Sequence, residues 1–176
     1  MSEKIAPQRW APYTTVAAII EQNGRYLLVR ENTRDGIRLN NPAGHLETGE
    51  SLIQACTRET LEESAWQFTP TALVGIYLHR FAGSNNQDMT YLRFAFSGEL
   101  GEHFPHKPLD TGILEAVWMT YDEIKACPEL HRTPLLMQSI DDYRQGKRYP
   151  LSLLTTNDNV WQFSGAAIPA TEGQTQ

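Results

Sequence analysis

The stretch "RETLEE", residues 58–63, sets three glutamates, Glu59, Glu62 and Glu63, within five positions. The segment that carries it predicts a helix beginning near Ser51 or just before it. A charged run on a helix is ordinarily a solvated face. Which way the glutamates point decides whether that reading holds here. Advancing ~100° per residue from Leu52, the consequence of 3.6 residues per turn, puts Leu52, Ala55, Cys56 and Thr60 on one face. Glu59 and Glu63 fall in the middle of that face, and Glu62 falls on its flank.

The carboxylates therefore continue the stripe expected to face inward. Clustered carboxylates repel, and partial desolvation raises their pKa values unless a cation neutralises them. Hard divalent cations take oxygen ligands, and carboxylates spaced i, i+3 and i+4 converge well enough to share one or two ions. Geometry alone leaves two readings open: a metal-binding cluster, or a shorter or rotated helix with its glutamates in water. Arg58 stands four residues before Glu62 and can pair with it. Glu50 lies at the helix start, where the dipole favours a negative charge.

Outward from this helix, strands dominate the front of the chain and helices are interspersed. TTVAAII (14–20), the Asn23-Gly24 turn signal and RYLLVRE (25–31) predict a hairpin. A short extended segment around IRLNN closes at Pro42, and GHLETG (44–49) is a loop. TALVGIYLHRF and MTYLRFAFSGEL are two more strands joined by the turn-rich AGSNNQD, and LEAVWM is a short strand. YDEIKAC starts a short helix. TPLLMQSIDDYRQG predicts another, with Thr133 as cap, Pro134 in the first turn and Gly146 at the stop. From about Ser164 the sequence is small and polar, and disorder is expected. The reading is an α/β fold.

The 176 residues suit one domain with a sizeable core, and 40% hydrophobic with 20% charged residues is ordinary globular composition. No apolar run approaches the ~18 residues of a membrane span, and MSEKIAPQRWAP has no signal-peptide core. The expectation is a cytoplasmic protein without membrane partners. Two cysteines and five dispersed histidines exclude a disulfide scaffold and argue against a sulfur- or histidine-built metal centre. The net charge of -6 argues against a nucleic-acid polymer as partner.

GHLETGESLIQACTRETLEESAW, residues 44–66, resembles the Nudix box, the signature of a family of Mg²⁺-dependent pyrophosphohydrolases. Gly44, Glu50, Arg58, Glu59, Glu62, Glu63 and Trp66 match in register. Thr60 stands where an aliphatic residue is usual and Ala65 where glycine is usual. The first departure is expected to loosen packing under the helix. The second is expected to end the helix without a left-handed residue. Outside the box, PAGHLE, YLRFAF, RTPLL and SIDDYRQGKRYPL resemble a bacterial phosphatase branch of the same family, over most of residues 13–154.

The resemblance implies a Nudix-type α/β/α sandwich with a mixed sheet. It also implies a domain at 13–154 between a short extension, 1–12, and a partly disordered tail, 155–176. It implies Mg²⁺, with Mn²⁺ able to substitute, bound by Glu59, Glu63 and Glu62 together with the Gly44 carbonyl. Arg58 would orient Glu62 or Glu50. Glu59 is the first candidate for the general base, and Asp110 and Glu115 are alternatives. Arg30, Arg38 and His45 are candidates for substrate contact, alongside the ring-stacking candidates Tyr77, Trp118 and Phe94; ordinary surface or core roles remain open for each.

The expected substrates are small pyrophosphates: thiamine pyrophosphate, hydroxymethylpyrimidine pyrophosphate, and nucleoside di- and triphosphates, with orthophosphate released. Hydrolysis of an ADP-sugar or a dinucleotide is the alternative chemistry. A non-catalytic nucleotide sensor is the alternative class, against which every box carboxylate is present. A monomer or small homo-oligomer is expected.

Overall fold

The structure is a computed structural model, and it describes residues 9–82 and 88–162. Two sheets form its centre. The five-stranded sheet runs β5–β1–β7–β6–β9, from β1 (Tyr13–Ile19), β5 (Ala43–His45), β6 (Trp66–Ala82), β7 (Asp88–His103) and β9 (Tyr149–Pro150). In it β1 pairs parallel with β7 and antiparallel with β5, so the sheet is mixed. The second sheet is built on β3 (Arg25–Thr33), which pairs with β2 (Glu21–Gln22), β4 (Gly36–Asn40) and β8 (Ile113–Thr120).

Helix α1 (Leu52–Ser64) covers one side of the five-stranded sheet. The opposite side carries α3 (Leu135–Arg144), and α2 (Tyr121–Lys125) follows directly from β8. Strand β1 shows why the layers stack this way. Val16 and Ala18 pack with Ala55 and Cys56 of α1, whereas Ala17 and Ile19 pack with Leu135, Leu136 and Ile140 of α3. A run that is apolar on both faces needs a layer on each. The expected α/β/α sandwich with a mixed sheet is the observed architecture.

The predicted hairpin is corrected in one respect. Asn23 and Gly24 do turn the chain, with φ of 53° and 75°, as a two-residue hairpin turn requires. The turn, however, joins β3 to the two-residue β2, and only one further bond, from Leu27 N–H to the Ile20 carbonyl (3.0 Å), extends the pairing. The TTVAAI run belongs to the other sheet, where both of its faces are buried.

Helix α3 begins as expected but is capped differently. Pro134 is its N-cap, no side chain caps it, and the Thr133 hydroxyl is buried without a partner. The chain leaves the helix through Gln145 and a left-handed Gly146. The short α4 (Asn159–Gln162) lies within the expected tail, and Trp161 borders a groove with Leu52, Phe94 and Leu153. The segment from Ser164 onward, and the centre of the AGSNNQD connection, lie outside the described residues.

Candidate active site

Ser51 caps α1: its hydroxyl accepts from Gln54 N–H at 3.1 Å, while the Gln54 side-chain oxygen accepts from Ser51 N–H at 2.9 Å. This reciprocal box satisfies two otherwise orphaned donors and contributes about 1 kcal/mol. Glu50 precedes this cap, and its carboxylate takes no part in it. That carboxylate instead accepts from Glu47 N–H (2.8 Å) and receives two bonds from Arg58, Nε to Oε2 (3.0 Å) and Nη2 to Oε1 (2.7 Å).

The buried face of α1 consists of Ala55, Cys56, Glu59, Thr60, Glu63 and Ser64, so the helical wheel placed the carboxylates correctly. Thr60 does not loosen the packing. It is fully buried, and its hydroxyl donates to the Cys56 carbonyl at 2.7 Å, one turn back. Nor does Ala65 avoid the left-handed region. It adopts φ 59° and ψ 19°, its N–H donates to the Leu61 carbonyl at 3.1 Å, and its own carbonyl accepts from Phe104 N–H at 2.8 Å. These bonds, and β6 starting at the next residue, hold it in a conformation that costs an L-residue about 1–2 kcal/mol.

Arg58 ties the helix to the loop before it. Nη1 donates to Glu59 Oε1 (2.8 Å) and Glu62 Oε2 (3.0 Å), and Nη2 also donates to the His45 carbonyl (3.0 Å). One guanidinium thus serves three carboxylates and a backbone oxygen. Planar, charge-assisted bonds of this kind are directional and strong. The bidentate contact with Glu50 holds Arg58 even more firmly protonated than usual.

Glu59 and Glu63 are only 8% and 7% exposed. Burial pushes Glu63 up to about 8, against one opposing hydrogen bond from Ala43 N–H (2.8 Å), and the charges of Glu31, Glu59 and Asp110 push the same way. Burial raises Glu59 as well, although Arg58 opposes the shift. The strand side of the site closes on Glu59 through Gly44, where a Cβ would overlap the Glu59 carboxyl group. Such desolvated carboxylates fit a hard divalent cation by chemistry, since a cation reverses the cost of ionising them. Among the described residues, no group of three or more carboxylate, imidazole or thiol side chains is gathered as ligands around one point. Glu62 instead stays with Arg58, its side chain 39% exposed.

Beside these residues lies a cavity of about 370 Å³, lined by Gly44, His45 and Glu63 on the box side. The structure separates the remaining candidates. Asp110 is brought to the end of α1, where its N–H donates to the Glu62 carbonyl at 3.0 Å and its Oδ1 accepts from Thr111 N–H at 2.8 Å. Arg30 and Glu115 pair with one another across β3 and β8 at 2.8 Å, about half exposed, and neither lines the cavity. Arg38 donates to the neighbouring Ile37 carbonyl and is also outside the lining. Tyr77 is buried and donates to Asp142 (2.8 Å), Trp118 packs edge-on to Trp66, and Phe94 lies under the groove near Trp161.

The cavity's aromatic wall is instead His79, Phe81 and Tyr91, and its cations are Arg93 and Arg132. Sequence reasoning missed all five. A signal existed for Arg93: in YLRFAF, Tyr91, Arg93 and Ala95 share one strand face, so an arginine stands on an inward, mostly apolar stripe.

A NUDIX domain model matches residues 11–137. The chain belongs to the Nudix family. It is 34% identical over 157 residues to "Phosphatase NudJ" of Escherichia coli (strain K12), covering 89% of this chain and 98% of that protein, and equally so to "Phosphatase NudJ" of Shigella flexneri. Among solved structures, a NUDIX hydrolase from Nitrosomonas europaea is 54% identical with a TM-score of 0.78, covering 84% of this chain and 99% of that one. The chain is a Nudix pyrophosphohydrolase, acting on phosphoanhydrides of small molecules. Nudix hydrolases generally use divalent metal ions. Among the described residues, no helix is long and apolar enough to cross a membrane.

Proposed function

We propose that this Nudix hydrolase is a Mg²⁺-dependent phosphatase of small pyrophosphates, with Mn²⁺ able to substitute. Its substrates are thiamine pyrophosphate, hydroxymethylpyrimidine pyrophosphate and nucleoside di- and triphosphates, and its product is orthophosphate. The observation that carries this reading is the pair of buried, inward-facing carboxylates, Glu59 and Glu63, the second of which lines a cavity. The likeness to NudJ, a phosphatase by name, supports the substrate class.

Glu59 and Glu63 would hold the cation, joined by Glu62 and the Gly44 carbonyl. When bound, a divalent cation neutralises phosphoryl oxygens and makes a water more acidic. Arg58 keeps Glu59 Oε1 occupied, so Glu59 Oε2 is the atom placed to accept the proton of the attacking water. Asp110, at the end of the same helix, is the alternative base. Arg58, anchored by Glu50, positions Glu59 and Glu62 and keeps the loop at His45 against the helix. His45 lines the cavity and lies within reach of a bound substrate. The protein works in the cytoplasm, as a monomer or small homo-oligomer, through its 13–154 domain.

The test is a panel of these pyrophosphates assayed with Mg²⁺, with Mn²⁺ and in excess EDTA, with phosphate and pyrophosphate measured separately. The reading expects metal-dependent orthophosphate release. Undiminished turnover after confirmed metal removal would overturn it.

A further inference from the structure

The cavity beside the box carries a feature that the roles given above to the box residues do not account for. Arg93 is only 7% exposed, yet its Nε donates to nothing, and Nη1 makes one long bond to Asn40 Oδ1 at 3.3 Å. Two more buried polar atoms on the same lining, the hydroxyls of Thr15 and Thr133, also lack partners. Buried polar groups are normally paired, so three orphans around one cavity mark groups awaiting a partner. Resting on the phosphoanhydride reading above, we infer that Arg93 is a specificity-determining residue that donates to an acceptor atom on a flat heteroaromatic group of the substrate.

Three observations select that chemistry. A guanidinium only donates, so its partner is an acceptor such as a ring carbonyl or ring nitrogen. Burial and the neighbouring Arg132 act against the charge on Arg93 while Glu31 and Glu63 support it, so anions already stand beside the guanidinium and a neutral acceptor suffices. The wall beside it is aromatic, with Phe81 and Tyr91 stacked at 5.5 Å and 7°. Glu31 lines the same cavity and can accept from an amino group on the ring; Arg132 Nε holds it at 3.4 Å. The volume, about 370 Å³, is in the range that holds a small ligand. A site built around a hydrogen bond rejects an analogue that lacks the bonding group, because its own polar atoms are then left unpaired.

The experiment compares uridine diphosphate with ribose 5-diphosphate, which lacks the base, on wild type and on Arg93→Lys. The wild type should favour uridine diphosphate by at least about tenfold in kcat/KM. Arg93→Lys should cut that preference at least about tenfold, mainly through KM for uridine diphosphate. Equal losses on both substrates would assign Arg93 to the phosphates or to packing and overturn the inference. So would a wild type indifferent to the base, as expected if the orphaned atoms are simply hydrated. If Arg93→Lys does not fold, the near-isosteric Thr133→Val replaces it. A KM increase confined to uridine diphosphate supports the inference, and equal or absent changes overturn it. A wild type inert on every phosphoanhydride overturns the underlying reading and this one with it, and differs visibly from an active but unselective enzyme.

Discussion

Gly44 and Glu59 are in direct contact: the Glu59 carboxyl group occupies the space that a Cβ on Gly44 would need. A methyl group there must push Glu59 away from Arg58 or push β5 away from α1. Gly44→Ala should therefore retain the fold and lose about a hundredfold in kcat, the scale of a catalytic group misplaced by roughly 1 Å. Steady-state kinetics with a melting curve checks it. Wild-type kcat in this variant would mean that the position of Glu59 does not matter.

Ala65 lies at the far end of the same helix with a left-handed backbone. Ala65→Gly should relieve about 1–2 kcal/mol of backbone cost and lose part of that to the greater freedom of unfolded glycine. The net gain expected is about 1 kcal/mol, a rise of about 2–4 °C in melting temperature for a chain of this size. Thermal denaturation tests this, and a lower melting temperature would contradict it.

Glu63 makes the metal-free protein sensitive to pH. Its folded pKa, about 8, lies above the ordinary carboxylate value near 4.5. The folded state therefore binds the extra proton, and stability falls as pH rises through that window. In EDTA, wild type should lose melting temperature relative to Glu63→Gln between pH 5 and pH 8. Parallel curves for the two proteins would show that Glu63 is not strained when ionised.

The phosphatase reading also sets which phosphorus is attacked. A diphosphate ester gives orthophosphate wherever water enters its anhydride, so only a longer chain is informative. With a nucleoside triphosphate, early chromatography should show the diphosphate before the monophosphate. Monophosphate and pyrophosphate appearing together from the start would leave the family intact and remove the orthophosphate-first reading.

What the sequence made legible was periodic or local. Glu59 and Glu63 could be placed inward because helical geometry fixes their angle to Ala55 and Cys56, which are buried beside them. The Asn23-Gly24 turn was readable from its two residues, but the sheet that β1 joins depends on Arg93 and Phe94 of β7, far along the chain. Arg30 and Arg38 looked basic in sequence, whereas one pairs with Glu115 and the other turns to its own backbone. The cavity's cations, Arg93 and Arg132, come from β7 and from the turn before α3, and only the folded chain brings them beside Glu31. Ala65 misled because tertiary hydrogen bonds hold a backbone that alanine disfavours.

The central claim is that Glu59 and Glu63 hold the divalent cation on which turnover depends. Its most direct test is a titration of Mg²⁺ on wild type and on Glu63→Gln, following cation affinity and phosphate release together. The substitution keeps size and removes a charge, so the account predicts a folded protein with weakened Mg²⁺ binding and turnover lower by at least about a hundredfold at low Mg²⁺. A folded Glu63→Gln protein with wild-type Mg²⁺ affinity and wild-type turnover at low Mg²⁺ would contradict it.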